Sequence, residues 1–302
     1  MKRLFVSLVA AFVLAACGGG GDDDGDAGGG DDGPSRTSAR ESFQQPFTDV
    51  KAYPVFVSSE VTVGENRFLV GLLSGRNDAP IASPDIEVSI DFFDLEQSAE
   101  RPVDSRTTDF LWTVKPRTGL YVTDIAFDSP GRWGAEVSID GPKLDETVKA
   151  SFDVMEEATT PEIGDPAPAS DTPTADEVSD LSKISTDGDP NPRFYDMSIA
   201  DAVRSGEPSV ITFATPKFCQ TATCGPTLGI VKRVAKGFRD VNFVHVEPYE
   251  LPVTAQRKVV PAAQEWGLPT EPWVFVIDNG RVQAKFEGSL SPGELKAALQ
   301  SL

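Results

Sequence analysis

Two cysteines in the second half of the chain are its clearest chemical signal. The 302-residue sequence has three cysteines, of which Cys219 and Cys224 share one short loop. The loop lies between an apolar strand, residues 209–213, and a helix start near Pro226. Two thiols on a loop at the end of a buried strand indicate redox chemistry or metal binding. The third cysteine, Cys17, stands in a different context near the N-terminus.

The chain is strongly acidic, but the charge is unevenly distributed. The formal net charge is −20, whereas residues 196–302 carry 11 acidic and 11 basic side chains. The excess of acid therefore lies before the cysteine loop. Binding to nucleic acid needs basic patches, so this composition argues against nucleic acid as a partner.

The first residues have the pattern of an export signal. A positively charged start precedes an apolar run, residues 4–16, which is too short to span a membrane as a helix. The run leads into Leu-Ala-Ala-Cys, residues 14–17, which resembles the lipobox of bacterial lipoproteins. The resemblance implies that residues 1–17 form a signal peptide with a lipobox and that Cys17 carries lipid, including palmitate. Ordinary secretion with a free Cys17 is the alternative.

Residues 18–44 are predicted to form a flexible tether. Residues 18–33 contain only Gly, Asp and one Ala, a composition that has nothing to bury. Lipid and tether together imply an extracytoplasmic protein that is held to the cell membrane. Because neighbouring cysteines outside the cytoplasm commonly oxidise, we expect a disulfide between Cys219 and Cys224.

Residues 45–155 show the alternation that is typical of half-buried strands. Apolar and polar residues alternate over 86–93 and again over 133–139. Turn-forming Asn, Asp, Pro and Gly residues separate the runs. Strands are predicted at residues 55–63, 67–73, 86–93, 109–114, 120–127, 133–139 and 147–154. Their number and spacing predict an all-β sandwich.

The end of this region resembles the last strands of immunoglobulin-like domains on exported bacterial proteins. The resemblance rests on residues 118–140, in which a Gly-x-Trp turn precedes a strand. It implies a fold and carries no chemistry. The region has no His and no Cys, so soft metal ligands are not expected there. It would serve as a spacer or scaffold, or as a docking surface for a partner protein.

Residues 156–192 have the composition of a linker. They are rich in Glu, Asp, Thr, Ala and Pro and carry ten acidic side chains. Such a segment cannot form a core and is predicted to be extended. A helical turn is predicted near residues 176–184.

The last region, residues 193–302, alternates helices and strands. Helices are predicted at residues 198–204, 227–238 and 254–266, and a final helix begins after a cap at Ser291. Strands are predicted at residues 210–213, 241–246, 273–277 and 282–286. Asn279 and Gly280 form a hairpin signal between the last two strands.

This order of elements resembles the thioredoxin fold over nearly the whole region, so the chain is predicted to have two domains, an all-β sandwich and an α/β thioredoxin-like fold. Residues 224–226, Cys-Gly-Pro, repeat the first three residues of the thioredoxin motif Cys-Gly-Pro-Cys. Residues 270–272, Thr-Glu-Pro, precede a strand where thioredoxins have a cis-proline that faces the cysteines. The resemblance implies a substrate-binding role for Pro272 and its neighbour Glu271, with Pro269 as a competing cis-proline.

The cysteine motif departs from that family in its spacing. Thr227 occupies the position of the second cysteine, and the partner lies upstream at Cys219, which gives Cys-x4-Cys. A nucleophilic cysteine needs a lowered pKa, which the amides and dipole of a helix N-terminus supply. We therefore expect Cys224 to be the attacking thiol and Cys219 the resolving thiol. A charged Glu271 that faces the thiols would raise their pKa, whereas one that points to solvent would not.

The sequence thus predicts a membrane-anchored protein that exchanges disulfides with exported proteins bearing thiols or disulfides. Two alternatives stay open. The disulfide would be a structural staple in a non-catalytic interaction module, or Cys219, Cys224 and His245 would bind copper(I) as soft ligands. No organic cofactor is implied, because no phosphate-cradling Gly-rich loop is present, and the exchange chemistry needs no metal.

Overall fold

A computed structural model describes residues 36–302. The predicted signal peptide, the lipobox with Cys17 and most of the tether lie outside the described residues. Within residues 36–302, no helix combines the length and apolar character needed to cross a membrane. The described chain begins with a short helix, α1 (Arg36–Glu41), followed by a turn of 3-10 helix at Ser42–Gln44.

Nine strands form two sheets in the first region. The strands are β1 (Ala52–Phe56), β2 (Gly64–Ser74), β3 (Pro80–Ile81), β4 (Glu87–Asp94), β5 (Asp104–Thr107), β6 (Asp109–Val114), β7 (Thr118–Phe127), β8 (Gly131–Gly141) and β9 (Leu144–Val154). One sheet has the order β1-β2-β7-β6 with β3 against β2, and the other has the order β5-β4-β8-β9. The β-rich architecture predicted from alternation is therefore observed.

The two sheets share one aromatic core, which makes them a sandwich. Phe68 of β2 and Phe92 of β4 come from opposite sheets and are fully buried, with ring centroids 5.3 Å apart. Phe127 and Phe152 pack against the same cluster. Burial alternates along β8, where Trp133 faces the core, as the period of two requires.

The first strand differs from the prediction of residues 55–63. It ends at Phe56 because the chain then turns out of the sheet, and the backbone N–H of Ser59 donates to the carboxylate of Glu287 at 2.9 Å. The short strands β3 and β5 carried no sequence signal, since β3 has two residues and β5 is polar throughout.

Residues 156–192 are largely irregular but are not a detached linker. Two short 3-10 turns, Ala175–Glu177 and Leu181–Lys183, replace the expected helical turn. Ala167 and Ser170 are buried, and Ser170 donates a hydrogen bond to Glu265. The segment departs from the expected behaviour because its hydroxyl groups satisfy carboxylates of the regions on either side.

A four-stranded mixed sheet with helices forms the last region. Its elements are α2 (Ile199–Ser205), β10 (Ser209–Phe213), α3 (Cys224–Ala235), β11 (Asn242–Val246), α4 (Pro261–Glu265), β12 (Trp273–Asp278), β13 (Arg281–Glu287) and α5 (Pro292–Gln300). The sheet order is β11-β10-β12-β13. Strand β11 is parallel to β10, whereas β12 is antiparallel to it.

Two helices begin at places that the sequence did not predict. Helix α3 begins at Cys224, three residues before the expected start at Thr227. Helix α4 is confined to Pro261–Glu265, because Pro261 occupies its first turn and begins the helix rather than kinking a longer one. The capping boxes at Ser198 and Ser291 are present.

Candidate redox site at one end of the mixed sheet

The strand directions bring three loops to one edge of the mixed sheet. Phe213, the last residue of β10, pairs with Val246, the last residue of β11. It also pairs with Trp273, the first residue of β12. The cysteine loop after β10, the loop after β11 and residues 270–272 before β12 therefore meet at this edge.

The two cysteines form a disulfide at this edge, with Cα atoms 6.0 Å apart. Cys224 is the first residue of α3 and is fully buried, whereas Cys219 is partly exposed. The backbone N–H of Cys224 donates to Sγ of Cys219 at 3.3 Å. The hydroxyl of Thr221 lies 3.3 Å from the same sulfur.

The two cysteines of the pair differ in exposure. Cys224, which was expected to attack because of its place at the helix N-terminus, is fully buried. Cys219 is accessible, and its sulfur receives the N–H of the first helical residue. The N–H at the start of α3 is therefore directed at the sulfur of Cys219.

Glu271 is partly exposed, and its carboxylate lies beside the disulfide. The two sulfur atoms and a carboxylate oxygen of Glu271 all lie within 4.8 Å of one another. The hydroxyl of Tyr249 donates to Oε2 of Glu271 at 2.9 Å. The peptide bond between Glu271 and Pro272 is cis, so Pro272 and not Pro269 has the geometry expected before β12.

Burial raises the pKa of the Tyr249 hydroxyl, and its hydrogen bond to Glu271 raises it further. The phenol therefore stays protonated and remains a donor to the carboxylate. The guanidinium of Arg257 lies 5.8 Å from the centroid of the Tyr249 ring. Arg257 thus contacts the ring of Tyr249, and the hydroxyl of Tyr249 orients the carboxylate of Glu271.

His245 does not join the cysteines in a ligand cluster. It is buried on β11, its Nε2 lies 2.9 Å from the carbonyl oxygen of Ala214, and its Nδ1 lies 2.7 Å from the hydroxyl of Tyr195. The carbonyl accepts only, so Nε2 carries the proton, and the hydroxyl of Tyr195 also donates to Oγ of Ser185 at 2.8 Å. Burial lowers the pKa of His245 to about 4. Among the described residues, the cluster of three metal-ligating side chains contains Glu271 in place of His245.

A buried acid lies beneath the cysteine loop. Glu247 follows β11, is 4% exposed and accepts hydrogen bonds from the N–H and the hydroxyl of Thr186, both at 2.6 Å. The hydroxyl of Thr186 in turn accepts from the backbone N–H of Lys217 at 3.2 Å. Burial raises the pKa of Glu247, and the bonds from Thr186 oppose that rise.

Sequence reasoning missed Tyr249, Glu247 and Thr221 at this site. A signal was present for the first two, because β10 and β11 were both predicted as strands. Parallel strands end at the same sheet edge, so polar residues directly after β11 belong near the cysteine loop.

Thr227, which stands where the thioredoxin motif has its second cysteine, has a structural contact. Its side chain is fully buried, and its hydroxyl donates to the carbonyl oxygen of Gly288 at 3.2 Å. The N–H of Gly288 donates to the carbonyl oxygen of Pro272 at 2.8 Å. Thr227 therefore ties α3 to the loop that holds Pro272.

The element order and the Cys219–Cys224 pair fit a thioredoxin-like region. No protein-family model and no curated protein matches the chain. Mitochondrial thioredoxin 3 of Saccharomyces cerevisiae, in its oxidized form, is 20% identical over 34% of this chain and 85% of its own, with a TM-score of 0.28.

Two other solved structures are similar to the chain at a comparable level. The β-glucuronidase of Parabacteroides merdae is 14% identical over 39% of this chain and 15% of its own, with a TM-score of 0.25. The CARDB domain of a Pyrococcus furiosus protein, in complex with di-metal ions, is 17% identical over 36% and 88%, with a TM-score of 0.20. Scores this low establish no shared function, so the site is interpreted from its own geometry.

Proposed function

We propose that the protein exchanges thiols and disulfides with exported proteins. The observation that carries the proposal is the geometry of the cysteine pair. One cysteine, Cys219, is partly exposed, and its sulfur accepts a hydrogen bond from the first residue of α3. The other, Cys224, is buried directly behind it. An accessible thiol backed by a buried one is the arrangement that two-step exchange requires.

The proposed roles reverse those expected from the sequence. The thiolate of Cys219 attacks one sulfur of a substrate disulfide, forms a mixed disulfide and releases the other substrate sulfur as a thiolate. The thiol of Cys224 then loses its proton and attacks the sulfur of Cys219. This second step re-forms the internal disulfide and releases the remaining substrate thiolate, so the substrate gains the two electrons that the protein loses.

Glu271 and Pro272 are proposed to contact the substrate. The carboxylate of Glu271 lies beside both sulfurs, where a substrate segment bound at Cys219 would pass. Its negative charge disfavours a neighbouring thiolate and would slow attack on acidic substrates. Pro272 is held in place by the bond from Gly288 to its carbonyl oxygen.

The proposed location is the outer face of the cell membrane, through lipid on Cys17. The lipobox resemblance at residues 14–17 supports this proposal. A Cys17→Ala variant is expected to lose incorporation of a palmitate analogue and to leave the membrane fraction. Equal membrane retention of both forms would contradict lipid anchoring.

Trapping of mixed disulfides tests the proposed function and the two thiol roles together. With Cys17→Ser as background, Cys224→Ser is expected to accumulate mixed disulfides with exported proteins through Cys219. Cys219→Ser is expected to accumulate far fewer, because Cys224 is buried. Equal trapping by both variants would overturn the roles, and absence of trapping by either would overturn the exchange function.

The alternative function is an interaction module in which the disulfide is a staple. The observation that favours it is that the bond joins the cysteine loop to the first residue of a buried helix. Under this alternative neither variant traps a substrate, and loss of the bond lowers stability only.

A further inference from the structure

We propose that reduction of the disulfide creates a zinc site formed by Cys219, Cys224 and Glu271. The proposal goes beyond exchange and requires only that the disulfide can be reduced by a dithiol. It rests on the position of Glu271, which takes no part in the bond changes between sulfur atoms during exchange. Zinc at this place would hold both thiolates and stop exchange until the metal is removed.

The ligand atoms already converge on one point. A carboxylate oxygen of Glu271 and the sulfurs of Cys219 and Cys224 lie within 4.8 Å of one another. Zinc binds thiolate at about 2.3 Å and carboxylate at about 2.0–2.2 Å in tetrahedral sites. Those bond lengths place ligand atoms about 3.4–3.8 Å apart, so the three atoms need only small shifts.

The chemistry of the three ligands selects zinc over copper(I). Two thiolates are soft ligands, whereas a carboxylate suits harder cations. Zinc accepts sulfur and oxygen ligands together. Copper(I) makes no use of a carboxylate ligand, and both ring nitrogens of the buried His245 already have hydrogen-bond partners, so His245 does not complete a set of soft ligands here.

The surroundings of the site fit a metal with an open fourth position. The hydroxyl of Tyr249 donates to Glu271 at 2.9 Å and fixes the direction of the carboxylate. Hydrogen bonds of this kind to a ligating group raise metal affinity. Cys219 and Glu271 are partly exposed while Cys224 is buried, so the fourth position faces solvent and takes water.

The charge and electron balance of the step is simple. A dithiol reduces the disulfide, becoming oxidised itself, and leaves two protonated thiols on Cys219 and Cys224. Binding of Zn²⁺ releases both thiol protons and gives a site with two thiolates and one carboxylate. The metal thereby protects both sulfurs from alkylation and from oxidation.

Zinc titration of the full-length chain tests the proposal. The Cys17→Ser variant is reduced with a dithiol, desalted without oxygen and titrated with Zn²⁺ against a chromophoric chelator. One Zn²⁺ per chain is expected in the reduced form and none in the oxidised form. Co²⁺ as a probe should give the thiolate charge-transfer bands of a tetrahedral site.

Two substitutions of the same type separate the Glu271 ligand from general charge effects. Glu271→Gln is expected to weaken zinc binding at least about tenfold. Glu207→Gln, an exposed residue before β10 at the opposite end of that strand from the cysteine loop, is expected to bind zinc like the parent. A circular dichroism spectrum and a denaturant unfolding curve like those of the parent show that each variant is folded.

Three outcomes would overturn the proposal. They are no zinc binding by the reduced parent, unchanged binding by Glu271→Gln, and equal weakening by Glu207→Gln. The failure of exchange is detected separately, because the trapping experiment with Cys224→Ser uses one thiol and no metal. Either proposal can therefore fail while the other stands.

Discussion

The sandwich and the mixed-sheet region bury polar groups to very different extents. Among the described residues, the sandwich buries three polar side chains, Thr62, Asp94 and Thr113, whereas residues 193–302 bury eight. The sandwich core is a cluster of phenylalanines around Phe68. Buried polar groups cost free energy unless they are paired, and several of the eight, among them Thr215, His245 and Glu247, lie at the sheet edge that carries the cysteine loop.

The two regions nevertheless share polar contacts. The guanidinium of Arg67 on β2 donates to Glu294 at 2.7 Å and to the carbonyl oxygen of Ser289 at 2.9 Å. Glu287 accepts from Ser59 and from the hydroxyl of Thr270, which precedes Glu271. The sandwich therefore contacts the segment that carries the candidate site. Substitutions in each region can show whether these contacts stabilise the site.

Removal of the central ring of the sandwich should have the largest effect. Phe68→Ala is expected to destabilise the sandwich by about 3–5 kcal/mol, because it leaves a cavity among four other phenylalanines. Hydrogen exchange read by mass spectrometry should show loss of protection within residues 52–154. Phe47→Ala, at a half-exposed ring, should cost much less.

The same hydrogen-exchange experiment tests whether the two regions unfold independently. Equal loss of protection in β10 and β12 would mean that both regions unfold as one cooperative unit. In that case the prediction of two separate domains would be wrong.

Loss of Arg67 should have the next largest effect. Arg67→Ala is expected to lower the free energy of unfolding by about 2–3 kcal/mol, because a largely buried guanidinium leaves Glu294 and two carbonyl oxygens without their donor. Denaturant titration measures this loss of unfolding free energy. Arg106→Ala, which removes an exposed ion pair with Asp104, should change stability by less than about 1 kcal/mol. Equal effects of the two substitutions would contradict a stabilising role of the Arg67 contacts.

The stability of the mixed-sheet region should depend on pH because of His245, which is buried in that region. Its folded pKa of about 4 lies below the ordinary 6.5, so the unfolded chain binds a proton that the folded chain refuses. Stability is therefore lost as pH falls from about 6.5 towards 4, by about 2 kcal/mol between pH 7.5 and pH 5. His245→Gln, which keeps a donor and an acceptor, should lack this component.

The comparison with His245→Gln is needed because two acidic residues, Glu247 and Glu287, change the pH dependence of stability in the opposite direction. Burial raises the pKa of Glu247 and Glu287, so their contribution is present at low pH and lost as pH rises. An identical pH profile for His245→Gln and the parent protein would contradict the assignment of His245 as a buried neutral group.

The smallest predicted effect concerns Thr221. Thr221→Val removes a hydroxyl 3.3 Å from the sulfur of Cys219 and should reduce the thiolate fraction of that residue. In a Cys17→Ser, Cys224→Ser background, the alkylation rate at neutral pH is expected to fall about fivefold, equivalent to about 1 kcal/mol. Thr107→Val on the sandwich should leave the rate unchanged. An alkylation rate that is unchanged in Thr221→Val would show that the Thr221 hydroxyl does not influence the Cys219 thiol.

The sequence was sufficient for most of the longer strands, for the helix caps at Ser198 and Ser291, and for the edge at which the site lies. Alternation predicted β8 around Trp133, and a capping box predicted the start of α5 at Ser291. Local patterns of this kind report on backbone structure, because the period of exposed and buried residues is set by the element itself.

The arrangement within the site could not be predicted in the same way. Helix α3 begins at Cys224, where the side chain of the N-cap residue Thr223 makes no capping hydrogen bond, and the burial of Cys224 depends on packing with residues that are distant in sequence. The direction of Glu271 depends on Tyr249, which comes from a different loop. The packing of residues 156–192 depends on distant carboxylates such as Glu247. These contacts join segments that are far apart in sequence.

A redox titration of the Cys219–Cys224 pair tests the central claim most directly. The full-length Cys17→Ser chain is equilibrated across a series of glutathione or dithiothreitol mixtures, its thiols are alkylated, and the mass shifts are read. If the pair exchanges disulfides, we expect a reversible two-electron transition within the range of exchange proteins, roughly −120 to −270 mV. A potential below about −300 mV would contradict that expectation and identify the disulfide as a structural staple.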